Sequence, residues 1–277
     1  MEINEENLIH GNYYINYNLG VCKYKNMIFQ NGKKYYYFEF LKGDGWYVSE
    51  EDLDKTVECD NEFGQSHLSI FRSNSWQRNR EKILKEYTCF SKSKEALLII
   101  ESYKSILMEA IKNSKTPCST EEYKDDFEVN EHIKSVLQNS TYPKGYIKNI
   151  EVEYEPSSKR AIINYRIPNI DEIPKIIEYK YNTKTAKIIE FTMKDKEFNK
   201  YYESTIFQIT LRSIKEIFDA TKNTMLESIV FNGWVDNIDK RTGTNFQSYT
   251  ISLMVSRNDF EKNKFGKSII ERLHSIS

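Results

Sequence analysis

Cysteine and histidine are scarce in this 277-residue chain, four of each, and neither is clustered. Cys22, Cys59, Cys89 and Cys118 include no CxxC pair, and His10, His67, His132 and His274 are dispersed. That spacing argues against a zinc centre or a metal-dependent enzyme, and for thiols kept reduced in a cytoplasm. No run of about 18 apolar residues occurs, so no membrane-spanning helix is expected. The opening Met1-Glu2-Ile3-Asn4-Glu5-Glu6 is acidic and lacks the basic and apolar regions of a signal peptide, which again points to the cytoplasm. No Ser-His-Asp or Cys-His pattern, Walker loop or GxGxxG run is present, so no cofactor and no catalytic residue are expected.

What is present is an ordinary globular composition, 39% hydrophobic and 29% charged, long enough for two or three domains with cores of their own. Aromatics are high at 14%, led by 20 Tyr and 15 Phe. The net charge of −1 conceals an uneven distribution. Residues 1–60 hold six Lys against eleven acids, residues 61–120 hold ten Lys or Arg against six acids, and the remainder is neutral. A surface for nucleic acid is therefore expected in the middle of the chain, and an acidic, phosphate-repelling module at its front.

The patterning predicts an α+β protein in three parts. Residues 1–60 read as a small SH3-like or Tudor-like β-barrel, with strands at Asn12–Tyr17, Val21–Phe29, Lys33–Leu41 and Trp46–Val48, and a last one after a one-turn helix at Ser49–Leu53. Asn31-Gly32 is the hairpin dipeptide between the second and third, and Tyr36, Phe38 and Phe40 alternate onto one face. Residues 61–140 read as a basic helical connector, with helices at Trp76–Tyr87, Ser93–Lys112 and Val129–Leu137 and a break around Pro117. Residues 141–277 read as an α+β domain with an antiparallel sheet and one long helix, Glu197–Thr221. Its strands are expected near Ile150–Tyr154, Ala161–Ile167, Lys175–Tyr181, Ala186–Phe191, 226–239 and 246–257. Ser256 and Asp259 resemble a capping box that opens a last short helix.

Two stretches carry family resemblances. Gly11-x-Tyr13-x-Ile15, Gly20-Val21-x-Lys23-Tyr24, Asn31-Gly32-Lys33, Tyr35–Phe40, Tyr47-Val48 and Leu53 resemble the RNA-polymerase-interacting domain of CarD-like regulators and the transcription-repair coupling factor, with Leu19 where that family has His. The resemblance implies a protein partner for the barrel. Tyr142-Pro143-x-Gly145, Glu151-Val152-x-Tyr154-x-Pro156, Ile163-x-Tyr165-x-Ile167-Pro168, Ile173-Pro174-Lys175, Gln208-Ile209-x-Leu211-Arg212 through Phe218, Val230–Val235 with Ile238-Asp239 and Thr242-Gly243, and Ser252-Leu253-x-Val255-Ser256-Arg257 with Phe260 are similar to the region preceding the nuclease in Mrr-type restriction endonucleases. That resemblance implies a link to DNA restriction and antiviral defence. Only 17 residues follow Phe260, so the nuclease itself is not expected within this sequence.

Candidate site residues follow. Arg72, Arg78, Arg80, Lys82 and Lys85, with Phe71 and Trp76, either sit on DNA phosphates while an aromatic stacks, or form a solvated helix whose Trp is buried. Lys240-Arg241 at a hairpin tip either touches phosphate or is an ordinary charged turn. Tyr35, Tyr37 and Trp46 are the candidate partner-binding aromatics. Asn232-Gly233-Trp234 is read as fold-specifying, Gly233 permitting a bulge or close packing. Asp171 with Glu178-Tyr179-Lys180 has the crude spacing of a Mg²⁺ nuclease but reads more simply as a solvated strand face, and no metal ligand is assigned. His132 reads as a surface residue. The function expected is a non-catalytic DNA-targeting or interaction module. Its partners would be DNA, a nuclease subunit or RNA polymerase. The alternatives are a polymerase-docking regulator and a cryptic Mg²⁺-dependent nuclease.

Overall fold

The computed structural model describes residues 7–69, 74–113, 125–143, 145–221, 225–238 and 241–262. In chain order these form β1 (Tyr13–Asn16), β2 (Gly20–Gln30), β3 (Lys33–Glu39), β4 (Gly45–Ser49), a 3-10 turn (Glu50–Lys55), β5 (Thr56–Cys59), α1 (Asn61–His67), α2 (Asn74–Lys104), α3 (Ile106–Asn113) and α4 (Asp126–Asn139). Then come β6 (Ile150–Glu155), β7 (Arg160–Arg166), β8 (Ile176–Asn182), β9 (Lys187–Thr192), α5 (Asp195–Ala220), β10 (Ser228–Ile238), β11 (Asn245–Ser256) and α6 (Arg257–Glu261). The fold is mixed α+β. It divides into two compact units, residues 1–97 with 176–192, and residues 98–175 with 193–277. The expected stand-alone connector over 61–140 is thus shared between the two.

The first unit is built on a five-stranded antiparallel sheet in the order β4-β3-β2-β1-β5, with β4 and β5 at its edges. Asn31 and Gly32 both adopt positive φ, 51° and 76°, as the turn between β2 and β3 requires. One side of the sheet is closed by Tyr14, Cys22, Tyr24, Tyr36, Phe38, Phe40, Val48 and Leu53, the alternation legible in β3. Helices cover its other side. Ile15, Val21 and Cys59 pack with Phe63 of α1 and Trp76 of α2, joined by Ile83, Leu84, Tyr87 and Phe90.

α2 corrects an expectation of two helices: it runs through Thr88–Lys92 unbroken. That stretch holds no Gly or Pro. The hydroxyls of Thr88 and Ser93, which compete with helical bonding elsewhere, donate to the Leu84 and Cys89 carbonyls one turn back. The Ser93 hydroxyl also accepts from the Tyr179 backbone N–H at 2.8 Å, docking the β8–β9 hairpin onto α2.

The second unit corrects a further expectation. Its sheet, in the order β11-β10-β7-β6, is mixed rather than antiparallel, because β7 and β10 run parallel. The cause is topological: the chain leaves β7, passes through α5 and returns beside it, a crossover that forces parallel strands. β8 and β9, expected in this sheet, pair only with each other. α5 lays Ile206, Ile209, Ile214, Ile217 and Phe218 into the core. Its buried Thr205, Thr210 and Ser213 satisfy their hydroxyls on carbonyls one turn back. α4 is capped by Asp125 at its start, and Lys148 closes its end, its Nζ donating to the Gln138 carbonyl at 2.6 Å and also to those of Leu137 and Ser140.

Arg257 ties the end of α5 to the start of β10. Its guanidinium donates to the carbonyls of Leu226 (3.0 Å) and Phe218 (2.6 Å) and to the Thr221 hydroxyl (2.7 Å), and it stacks on the Phe218 ring. Beside it, Ser256 caps α6, accepting the Asp259 N–H as its sequence suggests. At Gly233 the β10–β11 register shifts by one residue, and an added Cβ would meet Cγ2 of Ile251 at 2.6 Å. Gly233→Ala is therefore expected to cost about 1–3 kcal/mol in urea unfolding through overpacking. A change within experimental error would remove this account of the glycine.

Candidate nucleic-acid interface

The basic residues of α2 are placed by what its other side buries. Trp76 is 2% exposed and its ring lies by Gly20, inside the cluster with Ile15 and Val21. The apolar positions 76, 83, 84, 87 and 90 therefore face the sheet. Arg78, Lys82 and Lys85, spaced by four and three residues, share the opposite, exposed side of the helix. Lys82 also lies 3.7 Å from Glu86, a loose pair that leaves its charge in water. Arg80 sits nearer the sheet and donates to the Tyr17 carbonyl at 3.3 Å. Of the two alternatives for this helix, the structure puts the tryptophan in the core, where it cannot stack on a base. The three outward cations remain exposed to solvent as a basic ridge.

Arg72 and Lys240, with Phe71, lie outside the described residues. Arg241 is exposed in the turn after β10 and belongs to the second unit, whereas α2's ridge belongs to the first. The candidate aromatics split between the two faces of one sheet edge. Tyr37 stands opposite Tyr47, their rings 4.8 Å apart, and Tyr35 shares that face. Trp46 stands opposite Phe38, on the other face. Tyr47 is 47% exposed and Trp46 37%, so Tyr47 belongs among the candidates. The alternation of β4 already implied that the two neighbours point oppositely.

The groups with nuclease-like spacing are otherwise engaged. Glu178 and Lys180 pair with each other at 3.0 Å on β8, and Lys180 lies over the Phe191 ring. Asp171 is in a 3-10 turn of the other unit. Among the described residues no three His, Cys, Asp or Glu side chains are grouped to hold a metal ion. Burial pushes the Cys22 thiol far up and Cys59 up to about 12, with the Asp60 carboxylate adding to the latter, so both are protonated and unreactive at neutral pH. His132 is half-buried, within 3.1 Å of the Ala220 carbonyl.

One polar cluster escaped sequence reading. In the second unit Tyr142 stacks on Tyr146 at 4.4 Å between centroids, with the Arg212 guanidinium 4.6 Å and the Lys148 ammonium 5.3 Å from the Tyr142 ring. Arg212 pairs with Glu216 at 2.7 Å, whose carboxylate also accepts from Ser140. Tyr146 donates to the Arg166 carbonyl. Nothing but the abundance of Tyr signalled this grouping, because it joins a loop to α5 across about 70 residues of chain. Burial is the main cause that raises the phenols of Tyr142, Tyr146 and Tyr165 above their usual range. It also lowers Lys148. These shifts accompany packing; the cluster acts as a joint.

Trp76→Ala is expected to destabilise the protein by about 3–5 kcal/mol, read as a drop in urea midpoint. A base-stacking tryptophan would instead leave stability nearly untouched. The phenols give a pH signature of known sign. Their folded pKa values lie above the unfolded value near 10, so their contribution is complete below about pH 10 and is lost as pH rises beyond it. Stability should therefore fall steeply above about pH 10, and less steeply in Tyr165→Phe; equal slopes would disprove the assignment.

No protein-family model matches this chain, and no curated protein matches it.

Proposed function

We propose that this chain is a non-catalytic DNA-targeting or interaction module related to restriction and phage defence, working in the cytoplasm. In this reading the five-stranded sheet is an SH3-like barrel that braces α2, and α2 lays Arg78, Lys82 and Lys85 along the phosphate backbone. The observation that carries it is the division of labour on α2: the apolar side is used up in the core, and three cations at helical spacing are left in water. The second unit, similar in sequence to the pre-nuclease region of Mrr-type endonucleases, serves as scaffold. Its conspicuous arginines, Arg166, Arg212 and Arg257, are held in internal ion pairs and carbonyl contacts. Cleavage would be supplied by a separate nuclease subunit.

Sequence-independent phosphate contacts make binding salt-dependent, with a slope near −0.9 per neutralised phosphate. Reversing Arg78, Lys82 and Lys85 to Glu together should therefore make the log–log salt slope of duplex DNA binding shallower by about three units, while leaving stability within about 0.5 kcal/mol. Fluorescence anisotropy against salt reads this. No binding at low salt, or an unchanged slope in the triple variant, would refute the proposal.

A second reading follows from β4. It lies at the sheet edge with Trp46 exposed on one face and Tyr47 on the other, an aromatic side-chain surface for contact with a protein such as RNA polymerase. Capture of polymerase by the full chain should then be lost in Trp46→Ala/Tyr47→Ala, and capture that persists would rule this edge out.

A further inference from the structure

The second unit's sheet ends in two edges of contrasting design. β6 carries Glu151, Glu153 and Glu155, a row of like charge that repels an added strand, and α4 packs against it. β11, at the other edge, runs for 12 residues, Asn-Phe-Gln-Ser-Tyr-Thr-Ile-Ser-Leu-Met-Val-Ser, without one charge or proline. Tyr249 and Met254 are 67% and 59% exposed, and Phe246 is exposed too. Among the described residues no strand pairs with its outer backbone. The other edges each carry a safeguard. β4 is five residues long and runs straight into Glu50-Glu51-Asp52, β5 is four residues long with Glu58, and β8 and β9 hold Glu178, Lys180, Lys187 and Glu190.

We propose that β11 is a pairing edge for a second copy of this chain, the two strands lying antiparallel across a two-fold axis so that the four-stranded sheets join into one. Charge decides for a second copy over a foreign strand. In an isologous pairing a residue near the axis meets its own image or that image's neighbour, so any Lys or Glu there would face like charge. β11 is free of charge along its whole length, whereas a strand adapted to a foreign partner gains specificity from complementary charges. Pairing would satisfy the outer N–H and C=O groups. It would also give Tyr249 and Met254, which share a face by their register with Trp234 and Val230, cross-strand neighbours. The bulge at Gly233/Trp234 leaves two regular stretches on β11, 245–249 and 251–256, for the ladder.

Sedimentation velocity of the full chain tests this, together with amide exchange measured against protein concentration. The mass should shift from one chain to two as concentration rises, with exchange slowing across residues 245–256. Tyr249→Lys/Met254→Lys and Tyr249→Glu/Met254→Glu should each stay monomeric with unchanged circular dichroism, and mixing them should restore a two-chain species. A wild-type chain monomeric at its highest soluble concentration overturns the proposal. So does a dimer whose 245–256 amides exchange at the monomer rate, or open-ended assembly beyond two chains. If the charged variants fail to fold, exchange on the wild-type chain decides alone. The edge is independent of the α2 ridge, so loss of DNA binding would leave this inference standing, and the reverse holds as well.

Discussion

The packing of α2's apolar side onto the five-stranded sheet is the contact on which the first unit depends. The small sheet presents two apolar faces, and its strands alone close only the face lined by Tyr36, Phe38 and Phe40. Ile15 and Val21 point the other way and need a cover, which α1 and the first turns of α2 provide through Phe63 and Trp76. A domain of this size has little core to spare, so the helix belongs to it as firmly as any strand. That burial also fixes the rotation of α2 about its axis, and hence which of its cations stay in water.

The second unit shows how misleading a tally of basic residues can be. Arg166 reaches both Glu172 and Asp236, Arg212 is held by Glu216 and the Tyr142 ring, and Arg257 donates to two carbonyls and a hydroxyl. Each is nearly buried, and removing any one would strand carbonyls or carboxylates without a partner. These arginines are the rivets between α5, the sheet and its loops. Gly233 is structural too, its missing side chain making room for Ile251.

Sheet edges leave rows of backbone N–H and C=O groups open to other strands. Short strands, acidic flanks and rows of glutamate guard most of them, and β11 is the exception. A long neutral strand with exposed Tyr and Met is a hazard for a monomer and an asset for a symmetric pair. The difference between the two edges of one sheet follows from their sequences, but which strands are edges follows only from their order in space.

Local chemistry made much of the fold legible in the chain. Asn31-Gly32 fixes a hairpin, the alternation of Tyr36, Phe38 and Phe40 fixes a face, Ser256 with Asp259 starts a helix, and the apolar period from Ile206 to Phe218 sets the long helix. All of these act within a few residues, where turn geometry, capping and side-chain period are decided. Long-range facts were not legible. The parallel pairing of β7 with β10, the docking of the β8–β9 hairpin on α2, the Tyr142–Arg212 joint and the burial of Trp76 against Ile15 and Val21 each join residues about 50 or more apart in sequence. The basic ridge lies between these two classes. The sequence by itself determined that α2 is a helix with cations on it. The tertiary structure decided which cations face water, because that depends on which side of the helix the sheet desolvates.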